Sequence, residues 1–318
     1  MKKIRLNNLT PEYGFGTNAA GKGQRLLNPD GTANVKRIGE PRFQIINIYH
    51  SLITMSWRRF IFLVLCSYLL VNLLFAVIYF YLIPDGELGG MIAHNATQKF
   101  LEEFFFSAQT LSTVGYGRLN PVGAEMSTVA AIESMLGLMG FALATGLLYG
   151  RFSRPTAKLL FSENIIVAPF RDRTGLMFRM ANARRNALIE LEAQIIFSYN
   201  ENKEGKVIRQ FQTLKLDISK ISYLAMSWTV VHDITEESPL YNLTAEDMEA
   251  LNAEFFISLK AIDDTYVQQV HARTSYRWNE MVWNAKFIPA ISLANDGINT
   301  IDISKISGYD KLESVLKQ

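Results

Sequence analysis

The sequence predicts a membrane protein with two transmembrane α-helices, a short re-entrant helix between them, an amphipathic helix before them, and a C-terminal cytoplasmic β-sandwich. Three observations predict this fold class. Of the 318 residues, 49% are hydrophobic and only 19% are charged, against roughly 25% charged residues in soluble domains. The hydrophobic residues are concentrated in two long segments. After residue 158, short runs rich in Val, Ile, Phe and Tyr alternate with turn residues instead.

Charge and cysteine content exclude several classes of protein. The 32 Lys and Arg residues against 30 Asp and Glu residues give a net charge of +2, which predicts no nucleic-acid partner. The single cysteine, Cys66, cannot form an internal disulfide or a cysteine cluster for zinc. A near match to a phosphate-binding loop at residues 16–23 ends in Gly23, where Ser or Thr must bind Mg²⁺. We therefore expect neither an enzyme nor a bound cofactor.

The N-terminal region predicts an arm followed by an interfacial helix. Residues 1–41 form the expected cytoplasmic arm, which is polar and rich in Gly and Asn, and therefore loose, over about its first 34 residues. Residues 42–56 predict an amphipathic helix at the membrane surface, because apolar residues recur there at helical spacing: Ile45, Ile48, Tyr49, Leu52 and Ile53. The alternative is that this segment extends the first membrane helix.

The first transmembrane helix is predicted over residues 57–83. Residues 60–83 carry no charge and, at ~1.5 Å per residue, can cross a hydrocarbon core about 30 Å thick. Trp57 at the start and Tyr79 and Tyr81 near the end stand where interfacial aromatic residues are expected. A buried helix of a soluble core is the alternative.

A second transmembrane helix is predicted over residues 121–150, a segment rich in Gly, Ala, Ser and Thr. Glu133 lies inside this span, and an acid within a membrane faces protein or water rather than lipid. Basic residues cluster before the first span and after the second, whereas only Lys99 and Arg118 lie between the spans. The positive-inside rule therefore predicts a multi-pass protein of the plasma membrane with both termini in the cytoplasm.

Residues 154–318 predict the β-sandwich. Many short β-type segments follow one another without alternating helices, which favours packed antiparallel sheets of the immunoglobulin-like type. Only residues 244–253 predict a helix there, with Thr244 as the N-cap and Asp247 three residues later.

The most specific motif is the pentapeptide TVGYG, formed by Thr113, Val114, Gly115, Tyr116 and Gly117. A helix capped by Asn95 or Thr97 is predicted before it over residues 97–111. Glycines at alternate positions let consecutive carbonyl groups point the same way, and four copies would form rings of oxygens that replace the hydration shell of K⁺. The motif predicts a homotetramer with K⁺ at this filter as its only metal, because one chain supplies a quarter of each ring.

Further motifs resemble the inward-rectifier (Kir) potassium channels in their prokaryotic, KirBac-type branch. These motifs are RFSRP at 151–155, MFRMAN at 177–182, SPLY at 238–241 and HARTSY at 271–276, and the resemblance runs from about residue 34 to 306. It implies a K⁺ channel of the bacterial inner membrane. It also implies gating at the inner-helix bundle, coupled to the cytoplasmic domain and to anionic phospholipids.

The resemblance also implies roles for residues around the filter and the gate. Gln109, where many members carry Glu, and Glu133 would support the filter. The alternative for Glu133 is an acid bonded to the pore helix without a role in conduction. Gly137, Phe141 and Tyr149 would form the cavity and gate, with aromatic packing at the membrane surface as the alternative for the two rings. Phe141 stands where eukaryotic members carry a polyamine-attracting residue, so strong polyamine rectification is not expected.

Two sets of charged residues complete the expected sites. Contact with anionic lipid is implied for Trp57, Arg58, Arg59, Arg151, Arg154 and Lys158, and the alternative is a topology signal alone. Glu204 and Glu280 match positions where the family lines a cytoplasmic pore with acids, and solvated surface is the alternative.

Two other functions compete with this interpretation. A two-span K⁺ channel gated by a nucleotide or Ca²⁺ would favour a Rossmann-like domain with a glycine fingerprint, which the region after residue 158 lacks. A membrane-anchored binding module would leave TVGYG unexplained.

Overall fold

The computed structural model describes residues 25–36, 38–39, 45–82, 84, 86–153, 158–184, 186–293 and 299–313. The chain divides into two compact units. One comprises Gly39–Arg154, and the other combines Met1–Ile38 with Pro155–Gln318.

The first unit is helical. Its elements are α1 (Ile45–Thr54), α2 (Trp57–Leu82), strand β1 (Leu88–Gly89), α3 (Ala96–Leu111), strand β2 (Asn120–Pro121) and α4 (Ala124–Phe152). Strands β1 and β2 pair antiparallel. Helices α2 and α4 are 26 and 29 residues long and apolar enough to cross a membrane.

Burial separates the membrane interpretation of α2 and α4 from that of a soluble core. Only 17% of the most apolar stretch of α2, and 11% of that of α4, is buried inside the chain. A core helix of a soluble protein would be mostly buried, so these apolar outer surfaces need another covering. The buried faces of the two helices pack around α3 in one cluster, which contains Phe75, Tyr79, Phe106, Met126 and Ala130.

The helix boundaries differ slightly from those predicted. Asn95 caps α3, since its side chain accepts a hydrogen bond from the Gln98 amide at 2.9 Å, and the helix therefore begins at Ala96. Helix α4 begins at Ala124 rather than at residue 121, because Pro121 is paired in strand β2. It continues to Phe152 instead of ending at residue 150.

Glu87 supplies the cap that the α4 N-terminus lacks in its own sequence. Its carboxylate accepts a hydrogen bond from the Met126 amide at 3.2 Å, which satisfies one of the free N–H groups of the first turn. A Cβ on Gly123 would lie 2.2 Å from the Glu87 carboxyl carbon, so any larger residue there would displace this carboxylate.

The second unit contains two five-stranded sheets. One has the order β12-β4-β5-β3 with β9 also paired to β5, and the other has the order β11-β10-β6-β7 with β8 paired to β6. Two further two-stranded pairs, β13-β16 and β14-β15, follow. The bounds of β3 to β9 are Leu159–Phe161, Ile165–Phe170, Arg173–Asn182, Leu188–Lys203, Lys206–Leu214, Lys220–Leu224 and Ser227–Ile234. Those of β10 to β16 are Glu254–Asp263, Gln268–Arg277, Met281–Trp283, Ala285–Phe287, Ile291–Leu293, Asn299–Ile301 and Tyr309–Lys311.

Side chains from both large sheets meet in one apolar core. Phe178 from one sheet and Phe197 and Phe255 from the other are fully buried there, and the last two rings stack with centroids 5.2 Å apart. The β-rich C-terminal region is therefore confirmed. Helix α5 (Ala245–Ala250) is the α-helix of this unit among the described residues, and Thr244 and Asp247 cap it reciprocally, as predicted.

The end of the N-terminal arm is ordered, contrary to the expectation that it is loose. Leu27 is buried in a cluster with Ile196, Phe211 and Phe256 of the second sheet, and it forms a β-bridge with Ala33. The Leu26 and Leu27 amides donate to the buried Glu254 carboxylate. The expectation is wrong for residues 25–34 because these contacts come from strands far away in the sequence, whereas residues 1–24 lie outside the described part.

Candidate functional site

The TVGYG segment follows α3 directly and has an unusual backbone. Positive φ angles occur at Thr113 (61°), Gly115 (55°) and Gly117 (82°), and they alternate with ordinary angles at Val114 and Tyr116. Glycine adopts such angles readily. A threonine does not, and its strain of about 1–3 kcal/mol persists only where the surroundings impose it. The alternation allows successive carbonyl groups to point to one side of the segment.

Gln109 holds the other side of this segment. Its main-chain carbonyl accepts hydrogen bonds from the amides of Val114 at 2.9 Å and Gly115 at 3.3 Å. Its side-chain oxygen accepts one from the Tyr116 amide at 3.2 Å. The amides of the segment therefore face α3. Within the described residues, no hydrogen bond ends on a carbonyl oxygen of residues 113–117. That leaves a row of free acceptors on the opposite side.

A buried polar network lies in the same unit. The Glu133 carboxylate on α4 accepts hydrogen bonds from the Tyr79 hydroxyl at 2.5 Å and from the Ser107 hydroxyl. Ser107 also lies 3.0 Å from the Asn72 side-chain oxygen, and Asn72 donates to the Tyr68 carbonyl at 2.7 Å. The network joins α2, α3 and α4 by polar contacts inside an apolar core.

Gly137 and Gly140 occupy different surroundings on α4. A Cβ on Gly137 would lie 2.0 Å from the Leu111 carbonyl oxygen, so α4 directly contacts the end of α3 at this point. A Cβ on Gly140 would meet nothing within 4 Å. The two predicted gate residues, Phe141 and Tyr149, each have 73% of their surface exposed in the single chain. Gly137 is therefore a packing position.

Arg151 makes contacts within its own unit that its sequence position did not reveal. Its guanidinium donates to the Leu52 carbonyl at 2.5 Å and the Met55 carbonyl at 2.6 Å. It also lies over the rings of Trp57 and Phe60, at 4.6 and 4.5 Å from their centroids. Arg151 thus ties the end of α4 to the junction of α1 and α2. Two of its nitrogens therefore bind main-chain carbonyls of the same unit, and its contact with lipid stays a prediction.

The other residues predicted to contact lipid are more open. Arg58, Arg59 and Lys158 are exposed, and Trp57 is 44% exposed beside the Phe152 ring. Arg154 lies outside the described residues.

The two acids predicted for a cytoplasmic pore also differ from each other. Glu204 is exposed at the β6–β7 turn with a φ of 53°. Glu280 is bound by the Arg25 guanidinium at 2.8 Å and by the Arg277 amide at 2.8 Å. The charge of Glu280 is therefore balanced by the N-terminal arm, which sequence reasoning did not anticipate.

Four other residues with polar contacts in the structure were not predicted from the sequence. Asn72 and Ser107 interrupt apolar helices, and that interruption is the signal which could have identified them. Glu87 and Arg25 carry no such signal, because their partners lie far away along the chain. In the part of the chain that the structure describes, no group of three or more His, Cys, Asp and Glu residues could hold a metal ion.

Comparison with known proteins matches both units to channel families. The model of the inward rectifier potassium channel transmembrane domain matches residues 27–155, and that of the inward rectifier potassium channel C-terminal domain matches residues 159–317. Both describe ion channels rather than enzymes. Among solved structures, the sporulation control protein Spo0M from Bacillus subtilis aligns over 39% of this chain and 49% of its own at 10% identity and a TM-score of 0.22, which carries no argument.

Individual relatives agree with the family models. The inward rectifier potassium channel Kirbac3.1 of Paramagnetospirillum magnetotacticum is 36% identical over 283 residues, which cover 88% of this chain and 94% of that protein. The G protein-activated inward rectifier potassium channel 1 of Homo sapiens is 26% identical over 305 residues, which cover 89% of this chain and 60% of that one. This chain is thus a member of the inward rectifier potassium channel family, of the prokaryotic type.

Proposed function

We propose that this chain conducts K⁺ as a homotetramer, with residues 113–117 of four copies forming the selectivity filter. One observation carries the proposal: three alternating positive φ angles and the amide bonds to Gln109 leave the carbonyl oxygens of this segment free on one side. Rings of such oxygens replace the hydration shell of K⁺. The Thr113 hydroxyl would complete the innermost ring.

Helix α3 acts as the pore helix in this proposal. Its C-terminal end precedes the filter, and its partial negative charge would favour a cation in the cavity below. The network of Glu133, Ser107, Asn72 and Tyr79 supports this helix from behind. Gln109 and Glu133 therefore act as filter supports.

The gate lies further along α4. Gly137 is fixed against the Leu111 carbonyl, whereas Gly140 has open space around it, which supports Gly140 as the bending point. Phe141 and Tyr149, both exposed in the single chain, would form rings of four that exclude water when they close.

Lipid and the cytoplasmic unit regulate this gate. Arg58, Arg59 and Lys158, with Arg154 and Trp57, would bind anionic phospholipids at the inner leaflet, with about 1 kcal/mol for each basic residue near the surface. The protein would span the bacterial inner membrane with both termini in the cytoplasm, where the β-sandwich is of the immunoglobulin-like type. Glu204 would add negative charge to the cytoplasmic end of the pore, as would Glu280 where Arg25 does not neutralise it.

Rb⁺ uptake into liposomes that contain the purified full-length protein tests this proposal. Gly115→Ala should abolish Ba²⁺-sensitive uptake, because it places a side chain at a left-handed filter position. Gly205→Ala is the matched control, since Gly205 also has a positive φ and open space within 4 Å of where its Cβ would lie, but belongs to a turn of the sandwich. Wild-type tetramers without uptake, or equal uptake by both variants, would overturn the proposal.

A further inference from the structure

Arg118, the residue that follows the filter, is tied to two separate parts of the chain. Its guanidinium donates to the Gly90 carbonyl at 3.1 Å and lies 3.5 Å from the Glu102 carboxylate of α3. The Arg118 side chain is 54% exposed, but that of Glu102 is only 15% exposed. The partner on α3 is thus largely shielded from water, unlike that of a typical surface ion pair.

The second oxygen of Glu102 binds another segment. It accepts a hydrogen bond from the Ile92 amide at 3.3 Å, in the loop between β1 and α3. One carboxylate on α3 therefore contacts both the exit of the filter and the loop that passes beside it.

The backbone of this loop also contacts the filter exit. A Cβ on Gly90 would lie 1.8 Å from the Arg118 carbonyl oxygen, and Gly90 has a φ of +78°, so glycine is required twice over. The next residues, Leu119 to Pro121, lead into β2, where Asn120 pairs with Gly89. Residues 118–121 are thus held by a side-chain clasp and a strand pair together.

These contacts begin where those of Gln109 end. Gln109 holds the amides of the filter as far as Tyr116, and the next polar tie along the chain is that of Arg118. We propose that the Glu102–Arg118 clasp positions the extracellular end of the filter and thereby maintains its preference for K⁺ over Na⁺. The inference rests on the proposed channel function. Glu102 and Arg118 are positioning residues, because they act through the carbonyl groups of residues 116–117.

A different role for Arg118 predicts different results. Four arginines at the outer mouth would repel cations by their charge alone. In that case, removing Arg118 would raise cation entry and removing Glu102 would lower it, with the double variant near wild type. A clasp requires both partners, so the two single variants should change selectivity in the same direction.

The test is a double-mutant cycle in liposomes with the full-length protein. Arg118→Gln and Glu102→Gln should each raise the Na⁺/K⁺ permeability ratio, by about threefold to tenfold for neighbours that couple directly, and the double variant should change it no further. Glu125→Gln is the control. Glu125 is an exposed acid in the first turn of α4, forms no ion pair among the described residues, and should leave the ratio unchanged.

The possible failures are distinguishable. Wild-type protein without K⁺ flux would overturn the proposed function, whereas selective wild-type flux with unchanged or opposite effects of the two single variants would overturn the clasp alone. Size-exclusion chromatography checks tetramer assembly first. If the glutamine variants do not assemble, Arg118→Lys keeps the charge, but its side chain is one bond too short for its ammonium to take the place of Nη1, the nitrogen that contacts both partners. Arg118→Lys should raise the Na⁺/K⁺ permeability ratio, and an unchanged ratio in this variant would contradict the clasp.

Discussion

The Ser107 hydroxyl on α3 donates a hydrogen bond to the Glu133 carboxylate on α4, and both residues are fully buried. Asn72 and Tyr79 of α2 complete the same network, so the three helices around the filter share one polar core. Removing one member leaves its buried partners unsatisfied, which costs about 1–3 kcal/mol for each group.

Ser107→Ala should therefore lower the thermal stability of the tetramer. The lost hydroxyl removes one of the two donors that the buried Glu133 carboxylate has, while the change in volume is small. Ser127→Ala is the matched control, because Ser127 is exposed in the first turns of α4. The effect is measured by thermal unfolding in detergent, with loss of the tetramer band on a gel as the readout. Equal midpoints for the two variants would show that the network does not stabilise the helices.

The structure predicts that Arg151 and Arg58 respond differently to lipid. Arg58→Gln should weaken the dependence of Rb⁺ uptake on the fraction of anionic lipid, because it removes an exposed charge at the membrane surface. Arg151→Gln should lower stability but leave that dependence unchanged, since its guanidinium binds the Leu52 and Met55 carbonyls. A titration with phosphatidylglycerol measures both. Loss of the lipid response in Arg151→Gln alone would reverse our assignment.

The exposed position of Tyr149 near the end of α4 predicts that the gate lies at this residue. Tyr149→Ala should raise Rb⁺ uptake several-fold because it widens the cytoplasmic mouth of the pore. Leu143→Ala removes a similarly exposed apolar side chain from α4 and serves as the control. Unchanged uptake in Tyr149→Ala would move the gate to Phe141.

The success of the sequence predictions depended on how local each signal was. The spans, α3 and the cap formed by Thr244 and Asp247 follow from neighbouring residues, and all were predicted to within a few positions. The bonds of Arg151 to the Leu52 and Met55 carbonyls could not be predicted, because an arginine after a membrane span has the same local sequence whether it binds lipid or main-chain carbonyls elsewhere in the chain. The positive φ of Thr113 was missed as well, since only the bonds around it impose that conformation.

The buried position of His232 predicts that the stability of the folded chain depends on pH. His232 is buried, with Nδ1 2.6 Å from the Lys215 carbonyl and Nε2 2.8 Å from the Ser238 hydroxyl, an arrangement that suits the neutral ring. Burial lowers the pKa of His232 below its usual value of about 6.5. The unfolded chain therefore binds the proton more readily, so stability should be constant above about pH 6.5 and fall as the pH is lowered from there towards the folded-state pKa.

Thermal unfolding of the full-length protein measures this dependence. The scan runs from pH 7.5 to pH 5, a window on the order of two pH units. His232→Gln should flatten the acid side of the profile, whatever its effect on stability at neutral pH. His271→Gln, at an exposed position of β11, should retain the wild-type slope. The same slope in His232→Gln would assign the acid sensitivity to other groups.

The contact between Arg25 and Glu280 predicts that the N-terminal arm can be released by a single substitution. Arg25 donates to Glu280, to the Ser275 hydroxyl at 2.9 Å and to the Ser275 carbonyl, while Leu27 is buried beside it. Arg25→Gln should free residues 25–34, because both the ion pair and the bonds to Ser275 are weakened. Limited proteolysis with chymotrypsin should then cut at Leu26 and Leu27 several-fold faster than in wild type.

Glu280→Gln separates this contact from a role of Glu280 in the cytoplasmic pore. If Glu280 mainly holds the arm, its substitution should also speed cleavage, and the double variant should be cut no faster than either single one. Lys305→Gln, which removes an exposed ion pair with Asp302, is the control. Slow cleavage in Glu280→Gln, together with reduced inward rectification, would instead favour the pore role for this carboxylate.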